Sequence, residues 1–130
     1  MYTDDRYTNN MIRSINTLSK YLTPENRFNL VTVCIQGLQK EREKHPDQTY
    51  RKGVANELAK MIGVEKNTVL RWMAHGIQGN NKNIFKLIMI SLDHAKGETL
   101  KVLEEGLIEH NNAFFILKKE IENDVTFDNL

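Results

Sequence analysis

Apolar residues recur at spacings of three and four along most of the chain, which is the pattern of amphipathic α-helices. Thr8 can cap a first helix. Its inner face is predicted to hold Met11, Ile15, Leu18 and Leu22. The tripeptide Thr23-Pro24-Glu25 favours a second helix start, with Thr as cap, Pro in the first turn and Glu near the positive helix end.

The second helix is expected to end near Lys44, because His45-Pro46-Asp47 follows and proline disfavours helix in the residue before it. Its predicted inner face is Phe28, Leu30, Val31, Val33, Cys34, Ile35 and Leu38. Thr49 is the predicted cap of a third helix from Tyr50 to about Ile62. The inner face of this third helix is predicted to be Val54, Leu58, Met61 and Ile62.

Residues 55–73 have the composition of two helices joined by a very short turn. Ala59 is small enough for a close helix crossing, Gly63 permits a left-handed exit from the first helix, and Val64 can turn inward. The second of these helices is predicted to bury Val69, Trp72 and Met73. Its outer face is predicted to be Lys66, Asn67, Leu70, Arg71 and Ala74.

This segment resembles the helix-turn-helix of the lambda-repressor and Cro-like family of DNA-binding regulators. The matching residues are Leu58, Ala59, Gly63, Val64, Val69 and Trp72. Asn83–Leu92 is similar to the helix that closes such a domain, so the resemblance covers about residues 49–95. Glu65 departs from the family pattern, which commonly has Ser, Thr or Asp there, and Glu is a poorer N-cap.

The apolar spacing predicts an all-α fold with additional N-terminal helices and a long C-terminal amphipathic helix, and the resemblance implies that the core of this fold is a helix-turn-helix. The resemblance also implies that Lys66–Arg71 enter the major groove of duplex DNA. Side-chain chemistry then assigns Asn67 to an adenine edge and Arg71 to guanine or phosphate. We expect Lys66 to contact phosphate, and Thr68 to contact base or phosphate.

Glu65 and Leu70 have two possible roles each. Glu65 could accept a hydrogen bond from a cytosine amino group or interact only with the helix N-terminus, and Leu70 could touch a thymine methyl or be merely exposed. The predicted phosphate anchors are Tyr50, Arg51 and Lys52, together with the loop His75–Lys82, including Asn80 and Lys82. That loop could equally be an ordinary turn.

A final helix is predicted from Glu98 to about Asn123. Its apolar seam consists of Leu100, Leu103, Leu107, His110, Phe114, Leu117 and Ile121. About three heptads of this kind predict a dimerisation helix, and packing onto the chain's own domain is the alternative. Ile108 and Phe115 broaden the seam. The sequence therefore divides into a domain at 1–95 and an oligomerisation helix at 96–130 with a short disordered tail.

The net charge of +1 conceals an uneven distribution. Residues 51–86 carry seven Lys or Arg and two Asp or Glu, whereas residues 87–130 carry four and nine. Phosphate attraction acts over a Debye length, so a local basic block favours nucleic-acid binding. The acidic C-terminal part is interpreted as a solvated helix face, with discouragement of non-specific DNA binding as the alternative.

Other classes of protein find little support in the sequence. The four histidines lie far apart, so neither a metal site nor an enzyme is predicted, and no cofactor or small-molecule ligand is evident. Cys34 lies among apolar residues and is expected to pack in the core. No segment approaches the roughly 20 apolar residues of a membrane span, and no secretory signal is recognisable, which predicts a cytoplasmic protein. With DNA as the expected partner, we expect it to be nucleoid-associated.

Three functions follow from these features. The first is a dimeric, sequence-specific transcriptional regulator, most simply a repressor, of phage, plasmid or prokaryotic type. The second is DNA binding in partition, replication or phage packaging, as in a small terminase subunit. The third is a helical protein–protein adaptor without DNA binding, which would show no salt-dependent affinity for duplex DNA.

Overall fold

The computed structural model describes residues 7–43, 53–79 and 81–123. All regular secondary structure in these ranges is helical, which confirms the all-α prediction. The helices are α1 (Asn9–Ser19), α2 (Pro24–Glu43), α3 (Gly53–Ile62), α4 (Lys66–His75), α5 (Asn81–His94) and α6 (Lys96–Asn123). Outside the described residues lie the stop at 45–47, the cap Thr49, the phosphate anchors Tyr50, Arg51, Lys52 and Asn80, and the tail at 124–130.

The first two helices each have a threonine at the N-cap position, as predicted. The Thr8 hydroxyl accepts a hydrogen bond from the Met11 amide at 3.1 Å, and the Thr23 hydroxyl accepts one from the Asn26 amide at 3.2 Å. These bonds satisfy amides that have no partner within the helix. The first helix ends at Ser19, so the placement of Leu22 on it is wrong. Leu22 is instead buried in the turn before α2.

Helix α2 lies at the centre of the fold and contacts α3, α4, α5 and α6. Its apolar residues pack with those of α5, the second largely buried helix. The fully buried leucine and isoleucine side chains of these two helices each contribute about 1.5–3 kcal/mol. They are Leu30, Leu38, Ile84, Leu87, Ile88 and Ile90. The core is therefore built around the α2–α5 pair, against which α3 and α4 are held.

Three residues predicted to lie inside are exposed. Phe28 and Met73 are each 38% exposed and Met11 is 44% exposed. Met73 follows Trp72 by 100° around α4, which carries its side chain past the interface that Val69 and Trp72 fill. Phe28 lies at the start of α2, where α4 ends and Gly76 packs against its backbone, so its ring is left at the edge.

Helix α6 has a packed stem and an exposed tip. Thr99, Val102, Leu103 and Gly106 are buried against the domain, whereas every residue from 107 to 123 is exposed. Gly106 permits the close approach to α2, because a Cβ there would lie 3.0 Å from Asn26 Oδ1. Part of α6 therefore packs onto its own domain, which was the alternative to a free dimerisation helix. In the described ranges no helix has both the length and the apolar character needed to cross a membrane.

Candidate nucleic-acid interface

The connection between α3 and α4 is three residues long and reverses the chain through Gly63. Gly63 has φ of +93°, the left-handed conformation expected from the sequence. The amides of Gly63 and Val64 both donate to the Ala59 carbonyl, at 2.8 and 3.0 Å. These bonds end α3 by a tight left-handed cap. Ala59 itself is buried, as a close helix contact requires.

Helix α4 begins without a side-chain cap. Glu65 occupies the N-cap position in an extended conformation, and its carboxylate forms no capping hydrogen bond. Its backbone carbonyl accepts from the Thr68 amide at 3.0 Å. Glutamate is too long to cap well, so the expected weakness of Glu65 is confirmed. The exposed carboxylate therefore lies at the N-terminus of α4, where a negative charge is favoured.

The two faces of α4 differ sharply in burial. Val69 is fully buried and Trp72 is 8% exposed, so both hold α4 to the domain. The outward face is exposed as predicted, and it consists of Lys66, Asn67, Leu70, Arg71 and Ala74. The chain's own described helices do not cover this surface. It forms a shallow, open depression lined by Asn67, Leu70, Arg71, Ala74 and His75.

Two of the predicted contact residues are linked to each other. Arg71 Nη2 donates a hydrogen bond to Thr68 Oγ1 at 3.3 Å, one turn earlier on α4. Because a guanidinium has five N–H donors, Arg71 retains donors for another acceptor. Thr68 is half-buried and Arg71 is exposed, so the hydroxyl orients the guanidinium along the outer face.

The predicted loop is shorter than expected from the sequence. His75 is the last residue of α4 and Lys82 lies in the first turn of α5, which leaves 76–80 between the helices. Ile77 is buried, and a Cβ on Gly76 would lie 3.3 Å from the Phe28 backbone. The first half of the loop is thus packed onto α2. Gln78 and Gly79 remain exposed beside α4.

Lys86 of the basic block has a structural partner. Lys86 Nζ donates to the carbonyl of Ile62, the last residue of α3, at 3.0 Å. Arg42 of α2 forms an ion pair with Glu57 of α3 at 3.2 Å. These two contacts fix α3 to α5 and α2. The pattern of charges along the chain had no signal that separates such anchoring cations from those on the outer face.

The predicted oligomerisation seam is divided between the stem and the tip of α6. Leu103 is 6% exposed and belongs to the chain's own core, so its assignment to an intermolecular seam is corrected. His110 Nε2 is hydrogen-bonded to the Tyr21 carbonyl, and the two rings meet edge to face at 5.9 Å. The apolar seam residues whose side chains are exposed are Leu100, Leu107, Phe114, Leu117 and Ile121.

The described ranges contain no group of three or more His, Cys, Asp or Glu residues that could hold a metal ion. Burial raises the pKa of the Cys34 thiol to about 12, which keeps it protonated and unreactive at neutral pH. No protein-family model, curated protein or solved structure matches this chain.

Proposed function

We propose that this chain is a sequence-specific double-stranded DNA-binding protein whose helix α4 enters the major groove. The observation that carries the proposal is the division of α4 into two faces. Val69 and Trp72 are buried and hold the helix to the domain, while Asn67 and Arg71 are exposed one turn apart on the other face. The major groove is about 12 Å wide, which admits an α-helix presented in this way.

Each exposed side chain has a role in this proposal. Asn67 pairs with the N6 and N7 edge of adenine, and Arg71 binds guanine or a phosphate with the donors that Thr68 leaves available. Lys66 lies in the first turn of α4 and contacts phosphate. Leu70, which is 43% exposed between them, contacts a thymine methyl group. The local basic charge of residues 51–86 supplies the attraction that does not depend on sequence.

A dimer is the second part of the proposal. Two copies joined through α6 would present two α4 helices to half-sites about one helical turn of DNA apart. Occupation of such a site at a promoter excludes polymerase, so the simplest activity is that of a transcriptional repressor. The same architecture with a ring-sized oligomer would instead fit the partition, replication or packaging function.

The experiment that tests this proposal is selection of bound duplexes from a random pool by the full-length protein, followed by sequencing. We expect a two-fold symmetric motif. The affinity for the selected site should fall steeply with salt, because phosphate contacts release counterions. Absence of an enriched motif together with salt-independent binding would contradict DNA recognition and favour the adaptor. A tandem array of short repeats would favour the architectural function.

The selection should be repeated with Asn67→Ala, which removes a side-chain amide from the proposed reading face, and with Asn112→Ala as its matched control. Asn112 is exposed on α6 and lies outside α4, so this change removes the same amide without touching the proposed reading face. It should yield the wild-type motif. Arg71→Ala should weaken binding to the selected duplex by about 1–3 kcal/mol.

A further inference from the structure

The exposed tip of α6 has a continuous face that overlaps the predicted heptad seam, sharing Leu107 and Phe114 with it, but that has Asn111 rather than His110 at its centre. Residues at spacings of three and four share one side of a helix. Such a side begins at Glu104 and ends at Lys118. Its members are all exposed, and they are Glu104, Leu107, Ile108, Asn111, Phe114, Phe115 and Lys118. We call this set the α6 outer face.

The α6 outer face has mirror order around Asn111. An apolar pair lies three and four residues before Asn111, at Leu107 and Ile108, and an aromatic pair lies three and four residues after it, at Phe114 and Phe115. The negative Glu104 lies seven residues before Asn111, and the positive Lys118 lies seven residues after it. We propose that α6 pairs antiparallel with α6 of a second copy of this chain, with the two-fold axis at Asn111.

This arrangement specifies the dimer on which the proposed function rests. In a two-fold interface, a contact between residue i and residue j occurs twice. Leu107 therefore packs on Phe115 of the second copy, and Ile108 packs on Phe114 of the second copy. Glu104 faces Lys118 of the second copy at both ends. The two Asn111 amides meet at the axis, where each can donate to the other.

A parallel pair of the same helices is disfavoured by charge. Parallel pairing in register would bring Glu104 towards Glu104 and Lys118 towards Lys118, and like charges that face each other are destabilising. The antiparallel register converts both contacts into Glu–Lys pairs. Lys118 forms a loose, exposed ion pair with Glu122 at 3.8 Å, and because exposed pairs of this kind are weak, Lys118 can turn to the second copy.

The dimensions of α6 fit this arrangement. The fifteen residues from Glu104 to Lys118 span about 21 Å of helix between the first and the last Cα, close to four turns, at 1.5 Å per residue step. The same register brings Ile121 of one copy beside Leu100 of the other. Leu100 borders a depression between α1, α5 and α6, lined by Tyr7, Met11, Leu92, Asp93, Lys96 and Leu100. The antiparallel pair would therefore cover exposed apolar surface on both the tip and the stem.

A second copy is favoured over an unrelated partner by the mirror order itself. An unrelated partner requires only that the face be complementary to something else. Self-complementarity of apolar with aromatic residues, and of acidic with basic residues, is required only when the face meets itself. The four large side chains are each at least 45% exposed, which is unusual for a surface that stays in water.

The first test is the mass of the full-length protein by sedimentation equilibrium, with charge variants. Glu104→Lys should raise the dimer dissociation constant by about tenfold or more, because both ion pairs become repulsive. The exchange variant Glu104→Lys/Lys118→Glu should restore the wild-type constant. Glu105→Lys is the matched control, since it makes the same charge change outside the α6 outer face and should leave the constant unchanged.

The second test is cross-linking of single cysteines, with Cys34 buried and unreactive. The Asn111→Cys variant should form a disulfide between position 111 of one copy and position 111 of the second copy. The Leu107→Cys variant alone should not form a disulfide. Position 107 of one copy and position 107 of the other would be offset by about 12 Å along the helices, which is beyond disulfide reach. A mixture of Leu107→Cys and Phe115→Cys should cross-link. A homodisulfide at Leu107 would overturn the antiparallel register.

These results separate the inference from the proposed function. A wild-type protein that is monomeric at all concentrations, or a Glu104→Lys variant with an unchanged dissociation constant, overturns the α6 pairing even if DNA binding is observed. A dimer that responds to the exchange variant supports it even if no duplex is bound. Circular dichroism of each variant verifies that the fold is retained, as expected for exposed positions.

Discussion

The ammonium group of Lys86 on α5 donates a hydrogen bond to the carbonyl of Ile62, the last residue of α3, at 3.0 Å. A positive charge at this position compensates the negative end of α3 and occupies a carbonyl that has no partner within the helix. It also joins α3 to the buried helix α5. The position of the α3–α4 turn therefore depends on a contact made 24 residues along the chain.

Lys86→Met should lower the free energy of unfolding by about 1.5–3 kcal/mol, the range for hydrogen bonds to charged groups. Methionine keeps the apolar stem but removes the donor. Urea denaturation monitored by circular dichroism measures the change. Lys101→Met on the exposed side of α6 is the control and should change stability by less than about 0.5 kcal/mol. Equal stability of the two variants would contradict the capping role.

Two glycines with positive φ should respond differently to alanine. Gly63→Ala should cost about 1–2 kcal/mol, since a Cβ there has no neighbour within 4 Å and only the left-handed backbone is strained. Gly76→Ala should cost more, about 3 kcal/mol, because φ of +83° with ψ of 164° suits only glycine and the Cβ would meet the Phe28 backbone at 3.3 Å. Thermal and urea unfolding of both variants would measure the difference. A smaller loss for Gly76→Ala would contradict the packing of the loop on α2.

Asn67→Ala should relax base preference at one position in each half of the selected DNA site. The loss on the best duplex should be about 1–3 kcal/mol, because a bidentate contact to adenine is removed. Competition binding with single-base variants of the site measures this effect, and stability should stay within about 0.5 kcal/mol of wild type because Asn67 is exposed. Weaker binding with an unchanged base preference would assign Asn67 to phosphate rather than to a base.

Stability should depend on Cys34 at alkaline pH. In the folded chain its pKa is raised to about 12 by burial, against 9.0 for the ordinary thiol. The unfolded chain therefore loses this proton first, so the stabilising contribution is complete below about pH 9 and is lost as the pH rises towards 12. We expect the free energy of unfolding to fall more steeply above pH 9 in the wild-type protein than in Cys34→Ala. Parallel pH profiles would show that the thiol is accessible in the folded state.

Much of the fold could be predicted because local chemistry determines where helices start and stop. Thr8 and Thr23 cap their helices through hydroxyls that reach amides three residues on, and Gly63 ends α3 because only glycine adopts its backbone conformation freely. The exposed face of α4 was predictable from spacing, since Val69 and Trp72 on one side leave Asn67 and Arg71 on the other.

The sequence by itself determined the all-helical architecture, the caps and the two faces of α4, because these depend on residues within a turn of one another. Only the tertiary structure decided how far each apolar stripe is covered. In the folded chain Leu103 is buried, whereas Phe28 and Met73 lie at an edge. Lys86 donates a hydrogen bond to the last carbonyl of α3. Burial depends on which helices cross, and a periodic pattern specifies a direction on one helix without specifying where its neighbour ends.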